Sequence, residues 1–513
     1  MRVAYIISVI IICIALVSCS DNKKPQTKKV LKDTLATVTD TTKVPVIDSL
    51  KWEIEQLLND SALLHASVGI FIANDSLENV IYENNPNISL VPASVLKLMT
   101  TATALELLGG GMSFKTTLQY SGNISDGHIL QGNIIIKGGG DPTLGRGEAS
   151  NIVARWGNAI KKLGIDSIAG KIIGDASLYE DELACPTWAY GEVANSYCQG
   201  PSGLTFCENS FELKFNITNK GAFWSSASNM NPYVPGIRFN NLSQSAGVSQ
   251  LETYFLGMPY GKEFDIQGFY PSGQGSSMMV GTLPDPALAA AYKLNQWLSR
   301  NDVRVNDTAT TIREIKLLHY DLPTERKEIM ASYSPKLYTI ISETNLVSRN
   351  LFAEQILKHL GLRRSGIGNR QSGLNALASF WSSKKMDICG LFLHDGCGIS
   401  RFNGITVKQL AFVLSHMKNH SPHYEAFKNT LPEAGKTGTM RRMGKNTLAE
   451  GHVFAKSGTM SRVCSYAGYV KTLEGKTLIF AFISNNFSCN FSEIKEKYEK
   501  IMIRMVDWKE IKK

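Results

Sequence analysis

The sequence lacks any concentrated run of charge of one sign. Lys and Arg occur in runs of at most two residues, although the 513-residue chain carries a formal net charge of +9. Nucleic-acid-binding proteins gather basic side chains on one face, often with interleaved aromatic residues. We therefore expect no nucleic-acid partner. The length is ample for two or three domains with a large core, and the hydrophobic fraction of 43% does not indicate disorder.

No Cys-x-x-Cys pair is present among the nine cysteines, so a zinc site is not predicted. Cys185, Cys198 and Cys207 are close enough in sequence for one disulfide if the chain is exported. Three histidines have a spacing that could suggest a metal site, but their polar context favours a solvated helix end; these are His416, His420 and His423. We expect neither a metal nor a cofactor.

The longest apolar run near the N-terminus, residues 3–17, is too short for a comfortable membrane span. It follows Met1-Arg2 and ends in Leu16-Val17-Ser18-Cys19, which resembles the lipobox of bacterial lipoproteins. The alternative is a plain signal peptide with a chance cysteine. We predict a lipoprotein signal peptide over residues 1–18, a membrane anchor through lipidated Cys19 and a flexible tether over residues 19–50. The protein is then an exported cell-envelope lipoprotein, periplasmic or surface-facing.

The sequence predicts a buried helix over residues 90–108, and two of its polar residues need a reason. Ser94 and Lys97 stand three residues apart and share one helix face. A lysine in an apolar setting loses proton affinity and can act as a base. The pair is therefore a candidate nucleophile with its activator. The spacing alone is weak, because it recurs in polar linkers or on charged helix faces at Ser20/Lys23, Ser382/Lys385, Ser415/Lys418 and Ser492/Lys495.

Two further motifs carry candidate site residues. Ser348-Arg349-Asn350 opens a strong helix, and a simple helix cap is the alternative interpretation of Ser348. Lys-Ser/Thr-Gly-Thr occurs twice, at Lys436 in a loop-like stretch and at Lys456 between two strand-like runs. A lysine and hydroxyls displayed rigidly from a sheet edge suit a substrate carboxylate. We therefore prefer Lys456, with Ser457, Gly458 and Thr459.

The order of predicted elements indicates an α+β fold. Strands near both chain ends predict one antiparallel sheet flanked by helices: 67–73 and 80–82, then 452–455, 463–470 and 478–483. Short strands broken by Gly, Asn and Pro dominate residues 114–270, with one helix at 151–163, and helices return at 286–300 and 336–360. We predict a catalytic domain over residues 51–113 and 276–513, interrupted by an inserted β-rich domain over residues 114–275.

Taken in order, the three motifs resemble the active-site triplet of serine penicillin-recognising enzymes. The sequence as a whole resembles the low-molecular-mass class C penicillin-binding proteins, the D-alanyl-D-alanine carboxypeptidase/endopeptidase family. The resemblance runs from about Trp52 to the C-terminal helix. It rests on Pro92-Ala-Ser-Val-Leu-Lys97, Gly138-Gly-Gly-Asp-Pro-Thr143, Asp395-Gly-Cys-Gly-Ile-Ser400, Leu431-Pro-Glu-Ala-Gly435 and Ala455-Lys-Ser-Gly-Thr459, followed by Tyr466-Ala-Gly-Tyr469.

This resemblance implies a β-lactamase/transpeptidase-like fold, peptidoglycan stem peptides as substrates and β-lactams as covalent inhibitors. It also implies a role for each residue. Ser94 attacks the penultimate D-alanine carbonyl after Lys97 takes its proton, and the backbone N–H groups of Ser94 and Thr459 form the oxyanion hole. Ser348, tied to Lys456, protonates the leaving D-alanine. Asn350 holds the substrate amide, and Ser457 and Thr459 hold its carboxylate.

The sequence departs from the family pattern at four positions. Ser457 replaces a threonine, Arg349 and Leu346 stand where the family often has Asp and Lys, and Cys397 replaces a serine. These changes bear on substrate preference and rate rather than on reaction type. A Ser-His-Asp hydrolase is disfavoured, because no Gly-x-Ser-x-Gly surrounds Ser94. A β-lactamase, or an inactive wall-binding scaffold that keeps the fold, remain alternatives.

Overall fold

The structure is a computed structural model that describes residues 48–147, 151–218, 221–223, 229–273 and 275–510. The predicted signal peptide, Cys19 and most of the predicted tether lie outside the described residues. Among the helices of the described ranges, none is both long and apolar enough to cross a membrane.

The first described elements form part of the main sheet and the helix that carries Ser94. They are α1 (Ser49–Leu58), β1 (Ser67–Asn74), β2 (Val80–Asn84), a 3₁₀ turn (Ala93–Leu96) and α2 (Lys97–Leu108). Asp48 caps α1 by accepting hydrogen bonds from the backbone N–H groups of Leu50 and Lys51. Gly109, with φ of +74°, ends α2. The predicted strands 67–73 and 80–82 are present as β1 and β2.

The next stretch, residues 115–333, consists of short strands with four helices. The elements are β3 (Lys115–Tyr120), β4 (Asn123–Ile124), β5 (Ile129–Gln131), β6 (Ile134–Lys137), α3 (Ile152–Lys162), β7 (Ser167–Ile168), β8 (Ile172–Asp175), α4 (Tyr190–Val193), β9 (Ser210–Thr218), β10 (Gly221–Phe223), β11 (Met230–Asn231), β12 (Arg238–Asn241), β13 (Gln244–Ala246), β14 (Glu252–Leu256), β15 (Glu263–Pro271), β16 (Gly275–Thr282), α5 (Pro286–Arg300), β17 (Arg304–Val305), β18 (Thr310–Thr311), α6 (Ile312–Leu317) and β19 (Lys327–Tyr333).

The remaining elements return to longer helices and then to the main sheet. They are α7 (Leu337–Leu346), α8 (Asn350–Ser365), α9 (Arg370–Ser383), α10 (Val407–His420), α11 (Tyr424–Asn429), β20 (Val453–Met460), β21 (Val463–Lys471), β22 (Thr477–Asn485) and α12 (Phe491–Val506).

The main sheet combines strands from both ends of the chain, as the sequence predicts. Its order is β2-β1-β22-β21-β20, and every neighbouring pair is antiparallel. Successive side chains of each strand point to opposite faces of the sheet, and each face packs into its own hydrophobic core. Phe71, Ala481 and Ile483 pack with α2, α8 and α10, whereas Phe480 and Phe482 pack with α1 and α12 on the other face. The architecture is α+β, with helices covering both faces of one antiparallel sheet.

Four smaller sheets lie within residues 115–333. Their orders are β18-β8-β6-β3-β19, β17-β7-β5-β4, β10-β9-β11 with β16 beside β9, and β12-β15-β13 with β14 beside β15. Helices α3 and α5 bury Trp156 and Leu294 in the core of this region. Strand β19 pairs with β3, so the strand pairing of this region continues as far as Tyr333.

The structure differs from the interpretation of the sequence at three places. Cys185, Cys198 and Cys207 are free thiols, so the disulfide that their spacing allowed is not formed. The solvated helix end expected for His416, His420 and His423 is wrong for His416, which is buried with its ring edge-on to Trp381 at a centroid distance of 5.4 Å. His420, the last residue of α10, is exposed as expected. Ser415 is buried as well and donates to the backbone oxygen of Asp75 at 2.6 Å. The polar residues around Ser415 and His416 led to a prediction of solvent exposure, but this face of α10 packs against the rest of the protein.

Candidate active site

Ser94 and Lys97 meet where the 3₁₀ turn becomes helix α2. Lys97 Nζ lies 2.8 Å from Ser94 Oγ, and the lysine side chain is fully buried. Ala93 adopts φ of +49°, which is unusual for a residue with a Cβ atom. The carbonyl of Ala93 lies so close to Gly398 that a Cβ there would come within 2.0 Å of it. The backbone beside Ser94 is therefore held by a loop from a distant part of the chain.

Lys97 has two further hydrogen-bond acceptors besides Ser94. Its Nζ lies 2.6 Å from Asn350 Oδ1 and 2.6 Å from the backbone oxygen of Cys397. A neutral amine has two N–H bonds and one lone pair. If Asn350 and Cys397 accept the two N–H groups, the lone pair is directed at the Ser94 hydroxyl. Burial lowers the pKa of Lys97, although the nearby acidic groups oppose that shift, and this favours the neutral base.

Ser348 and Lys456 form a second hydroxyl–amine pair. Lys456 Nζ donates to Ser348 Oγ at 3.0 Å and to the backbone oxygen of Ser457 at 2.8 Å. Burial, followed by the positive charge of Lys97, depresses the pKa of Lys456 well below its ordinary value. Ser348 does not act as the helix cap that the sequence allowed, because Arg349 occupies that position of α8. Ser348 instead has φ of +63° and faces Lys456.

Strand β20 brings the predicted substrate-binding residues alongside the nucleophile. A Cβ atom on Gly458 would lie 2.8 Å from the carbonyl of Pro92 and 2.9 Å from the nitrogen of Ser94, so this approach needs glycine. Ser457 Oγ donates to Thr439 Oγ1 at 2.7 Å. Thr459 is exposed. β20 is the last strand in its sheet, and residues 432–434 already pair with the start of its outer edge, at residues 453–455. The part of the edge at residues 457–459 can pair with an extended peptide.

The two lysine motifs have different surroundings. Lys456 is buried beside Ser348, whereas Lys436 lies in a loop and pairs with Glu433 at 2.8 Å, with half of its side chain exposed. The structure therefore places Lys456, and not Lys436, with the other candidate residues. Thr439, in the motif of Lys436, nevertheless contacts Ser457. The sequence motif alone did not indicate that contribution.

Two residues from the stretch 115–333 contact the start of α8. Asn350 Nδ2 donates to the backbone oxygen of Tyr197 at 2.7 Å, and Arg349 Nη1 donates to Glu208 Oε2 at 2.9 Å. Sequence reasoning missed Tyr197 and Glu208, because neither lies in a recognisable motif and the contact of Tyr197 with Asn350 spans 153 residues. Arg349 belongs to the departures from the family pattern, and its partner is in the insert.

Three buried groups of the type that bind metals lie close to Lys97. One ligand atom each from Glu354, Asp395 and Cys397 fall within 4.8 Å of one another. The carboxylates are already engaged as acceptors. Glu354 Oε1 accepts from the backbone nitrogens of Gly396 and Cys397, and Asp395 accepts from four N–H groups. The cluster therefore fits a hydrogen-bonded turn better than a metal centre.

Comparison with known proteins gives a consistent result. Residues 50–510 match the model of the D-Ala-D-Ala carboxypeptidase 3 (S13) family. A D-alanyl-D-alanine carboxypeptidase from Actinomadura sp. (strain R39) is 25% identical over 453 residues, which cover 86% of this chain and 82% of the relative. D-alanyl-D-alanine carboxypeptidase DacB from Haemophilus influenzae is 22% identical over 457 residues, covering 84% and 88% respectively.

The fold also matches a solved structure over nearly its whole length. The crystal structure of penicillin binding protein 4 (dacB) from Haemophilus influenzae aligns with a TM-score of 0.74 at 19% identity, covering 89% of this chain and 98% of that one. This likeness establishes the penicillin-recognising fold that the motifs predict. With the family match extending over residues 50–510, the chain belongs to the D-Ala-D-Ala carboxypeptidase 3 (S13) family and is a serine-type peptidase.

Proposed function

We propose that the protein hydrolyses D-alanyl-D-alanine bonds in peptidoglycan stem peptides through an acyl-enzyme on Ser94. One observation carries this proposal. Lys97 Nζ lies 2.8 Å from Ser94 Oγ, while Asn350 and Cys397 accept its other hydrogen bonds. This arrangement directs the base at the hydroxyl that must lose its proton.

Acylation begins when Ser94 Oγ attacks the carbonyl carbon of the penultimate D-alanine. The Ser94 proton passes to Lys97 Nζ as the new C–O bond forms. The backbone N–H groups of Ser94 and Thr459 stabilise the negative oxygen of the tetrahedral intermediate. The close approach of Gly458 to the nitrogen of Ser94 supports this assignment, because it brings β20 next to the helix start.

The leaving group needs a proton when its C–N bond breaks. Ser348 Oγ lies 3.0 Å from Lys456 Nζ, so the hydroxyl can give its proton to the departing D-alanine amine and be reprotonated by the Lys456 ammonium group. The proton that Lys97 took from Ser94 then returns to Lys456, which leaves Lys97 neutral for the second step. Water attacks the ester carbonyl and gives a proton to Lys97, and Lys97 passes a proton to Ser94 Oγ as the ester C–O bond breaks and the second product leaves. A β-lactam would acylate the same hydroxyl but keep its leaving nitrogen tethered.

The substrate would lie along the outer edge of β20 at residues 457–459. Ser457 and Thr459 supply hydroxyls for the terminal carboxylate, and the negative charge of that carboxylate in turn favours the ammonium form of Lys456. Asn350 Nδ2 uses one N–H on Tyr197, which leaves its second N–H for the substrate amide. In this arrangement all eight predicted site residues surround one extended peptide: Ser94, Lys97, Ser348, Asn350, Lys456, Ser457, Gly458 and Thr459.

Digestion of purified peptidoglycan tests the proposal. We expect release of D-alanine from pentapeptide stems, cleavage of D-alanyl cross-links, or both, identified by mass spectrometry of the soluble products. Ser94→Ala serves as the control and should release neither product. Wall fragments that are the same with the wild-type protein and with Ser94→Ala would contradict the proposal.

We further propose that the chain is exported and anchored through lipidated Cys19. The family's cell-wall substrate supports an envelope location, and the lipobox-like Leu16-Val17-Ser18-Cys19 supports the anchor. Residues 19–50 would then space the enzyme from the membrane surface. For the domain boundary, the pairing of β19 with β3 supports an insert that continues to Tyr333 rather than one that ends at residue 275.

A further inference from the structure

A buried carboxylate lies one helical turn after Asn350. Glu354 follows Asn350 by four residues in α8, so both side chains project from the same helix face. Glu354 is 2% exposed. Its Oε1 accepts hydrogen bonds from the backbone nitrogens of Gly396 and Cys397, each at 2.7 Å. A single carboxylate oxygen thus holds two consecutive N–H groups of the turn formed by residues 395–398.

This turn supplies one of the acceptors of Lys97. The backbone oxygen of Cys397 lies 2.6 Å from Lys97 Nζ. On the far side of the same peptide, the nitrogen of Gly398 donates to Asp395 Oδ1 at 2.7 Å. Thr100, one turn along α2 from Lys97, donates to the oxygen of Gly396 at 2.7 Å. The direction of the Cys397 carbonyl therefore depends on how the turn is held.

We propose that Glu354 is a positioning residue for Lys97. Through the 395–398 turn it fixes the Cys397 carbonyl that takes one N–H of the lysine, and the amine lone pair is thereby kept on Ser94. Lys97 donates to two acceptors, Asn350 Oδ1 and the Cys397 carbonyl. One face of α8 positions both of them, because Asn350 contacts Lys97 directly and Glu354 holds the turn that carries Cys397. The inference rests on the proposed role of Ser94 as nucleophile and of Lys97 as its base.

The charge of Glu354 should affect the pH dependence of acylation, which a purely structural role would leave unchanged. Burial and the neighbouring Asp395 raise the pKa of Glu354 to about 7. When Glu354 is ionised, its charge favours the ammonium form of Lys97. The ionisable groups near these two residues are Asp395, Cys397, Cys185, Lys358 and Lys456. Loss of the Glu354 charge should therefore lower the pKa of Lys97 further and move the acid limb of acylation to lower pH.

The test compares Glu354→Gln and Glu354→Ala with the wild-type protein. A fluorescent penicillin reports the acylation rate constant from about pH 5 to about pH 10, and the final labelled fraction reports how much protein is correctly folded. We expect Glu354→Ala to lower the plateau rate constant by roughly 10-fold to 100-fold at full final labelling. Glu354→Gln should lose less rate, because its amide oxygen still accepts, and should show the shifted acid limb.

Asp285→Asn provides a matched control. Asp285 is also buried, accepts a backbone hydrogen bond from Leu288 at 2.9 Å and has its pKa raised to about 7 by burial, but it caps α5 in the insert. Its substitution should leave the acylation profile unchanged. If Glu354→Ala does not fold, Glu354→Gln decides the test.

Two results would overturn the inference. The first is that both Glu354 variants have the same acylation rate constants and pH profiles as the wild-type protein. The other is a rate loss fully explained by a smaller labelled fraction, with the pH profile of the remaining protein unchanged. Failure of the wild-type protein to become labelled at Ser94 would instead refute the proposed function, so the two failures are distinguishable.

Discussion

Asn350 and Lys97 are separated by 253 residues in the chain, yet Lys97 Nζ donates to Asn350 Oδ1 at 2.6 Å. The amide nitrogen of Asn350 donates to the backbone oxygen of Tyr197, in the stretch 115–333. The contact therefore joins three parts of the chain: α2, the start of α8 and residues 115–333. Lys97 can be an oriented base only when all three are assembled.

The two lysine motifs should differ sharply in their effect on acylation. Lys456→Ala removes a buried amine 3.0 Å from Ser348 and should lower the acylation rate constant by roughly 100-fold or more. Lys436→Ala removes only a half-exposed ion pair with Glu433 and should change the rate less than about 3-fold. Labelling kinetics with a penicillin measure both variants. The reverse order of damage would show that Lys436 is the functional residue.

Gly458 should not tolerate even one methyl group. In Gly458→Ala the new Cβ would lie within 3.0 Å of the nitrogen of Ser94 and the carbonyl of Pro92, so β20 must move away from the nucleophile. We expect acylation to slow by at least about 10-fold, because displacement of the oxyanion-stabilising backbone weakens transition-state binding. Gly111→Ala is the control, since no atom lies within 4 Å of its added Cβ. Equal rates for the two variants would contradict the placement of β20.

The pH dependence of acylation should reflect a buried lysine base. Burial lowers the pKa of Lys97 below the ordinary value of 10.5. Acylation requires the neutral amine, so its rate constant should rise with pH through the lowered pKa and be constant above it. Rate constants for penicillin acylation across the pH range, with circular dichroism to verify folding, give the midpoint. A midpoint at or above 10.5 would mean that Lys97 is not the base.

Membrane association should depend on Cys19. A Cys19→Ala protein should shift from the membrane fraction to the soluble fraction, because acyl chains on that sulfur provide the anchor. A protein that begins near Lys51 should keep its peptidase activity, since the described catalytic elements begin with α1 at Ser49. Immunoblots of fractionated cells and D-alanine release measure the two effects. Unchanged fractionation of Cys19→Ala would disprove the lipoprotein prediction.

The parts of the site that the sequence predicted are those governed by local patterns. Ser94 and Lys97 are three residues apart where the 3₁₀ turn becomes α2, and Lys456 lies in strand β20. Phe480 and Phe482 share one face of β22, whereas Ala481 between them lies on the other, as the alternation of a two-faced strand requires. Such features depend on residues that are neighbours in sequence.

The parts that the sequence missed depend on contacts between distant segments. Nothing in the local sequence marks Tyr197 as a partner of Asn350, or Glu354 as the residue that holds the Cys397 turn. The burial of His416 was not predicted for the same reason, because Phe380 and Trp381, which contact its ring, lie on another helix. A single sequence contains no direct signal for these long-range pairs.

Mass spectrometry of the penicillin adduct tests the central claim most directly. After incubation with a penicillin, the wild-type protein should gain one drug mass, located on the peptide that contains Ser94. Ser94→Ala should lose both the adduct and D-alanine release, while its free energy of unfolding changes by less than about 1 kcal/mol. A persistent adduct indicates a penicillin-binding peptidase, and rapid turnover of the drug indicates a β-lactamase. An adduct on any other serine, with Ser94→Ala still active, would contradict the assignment of Ser94 as the nucleophile.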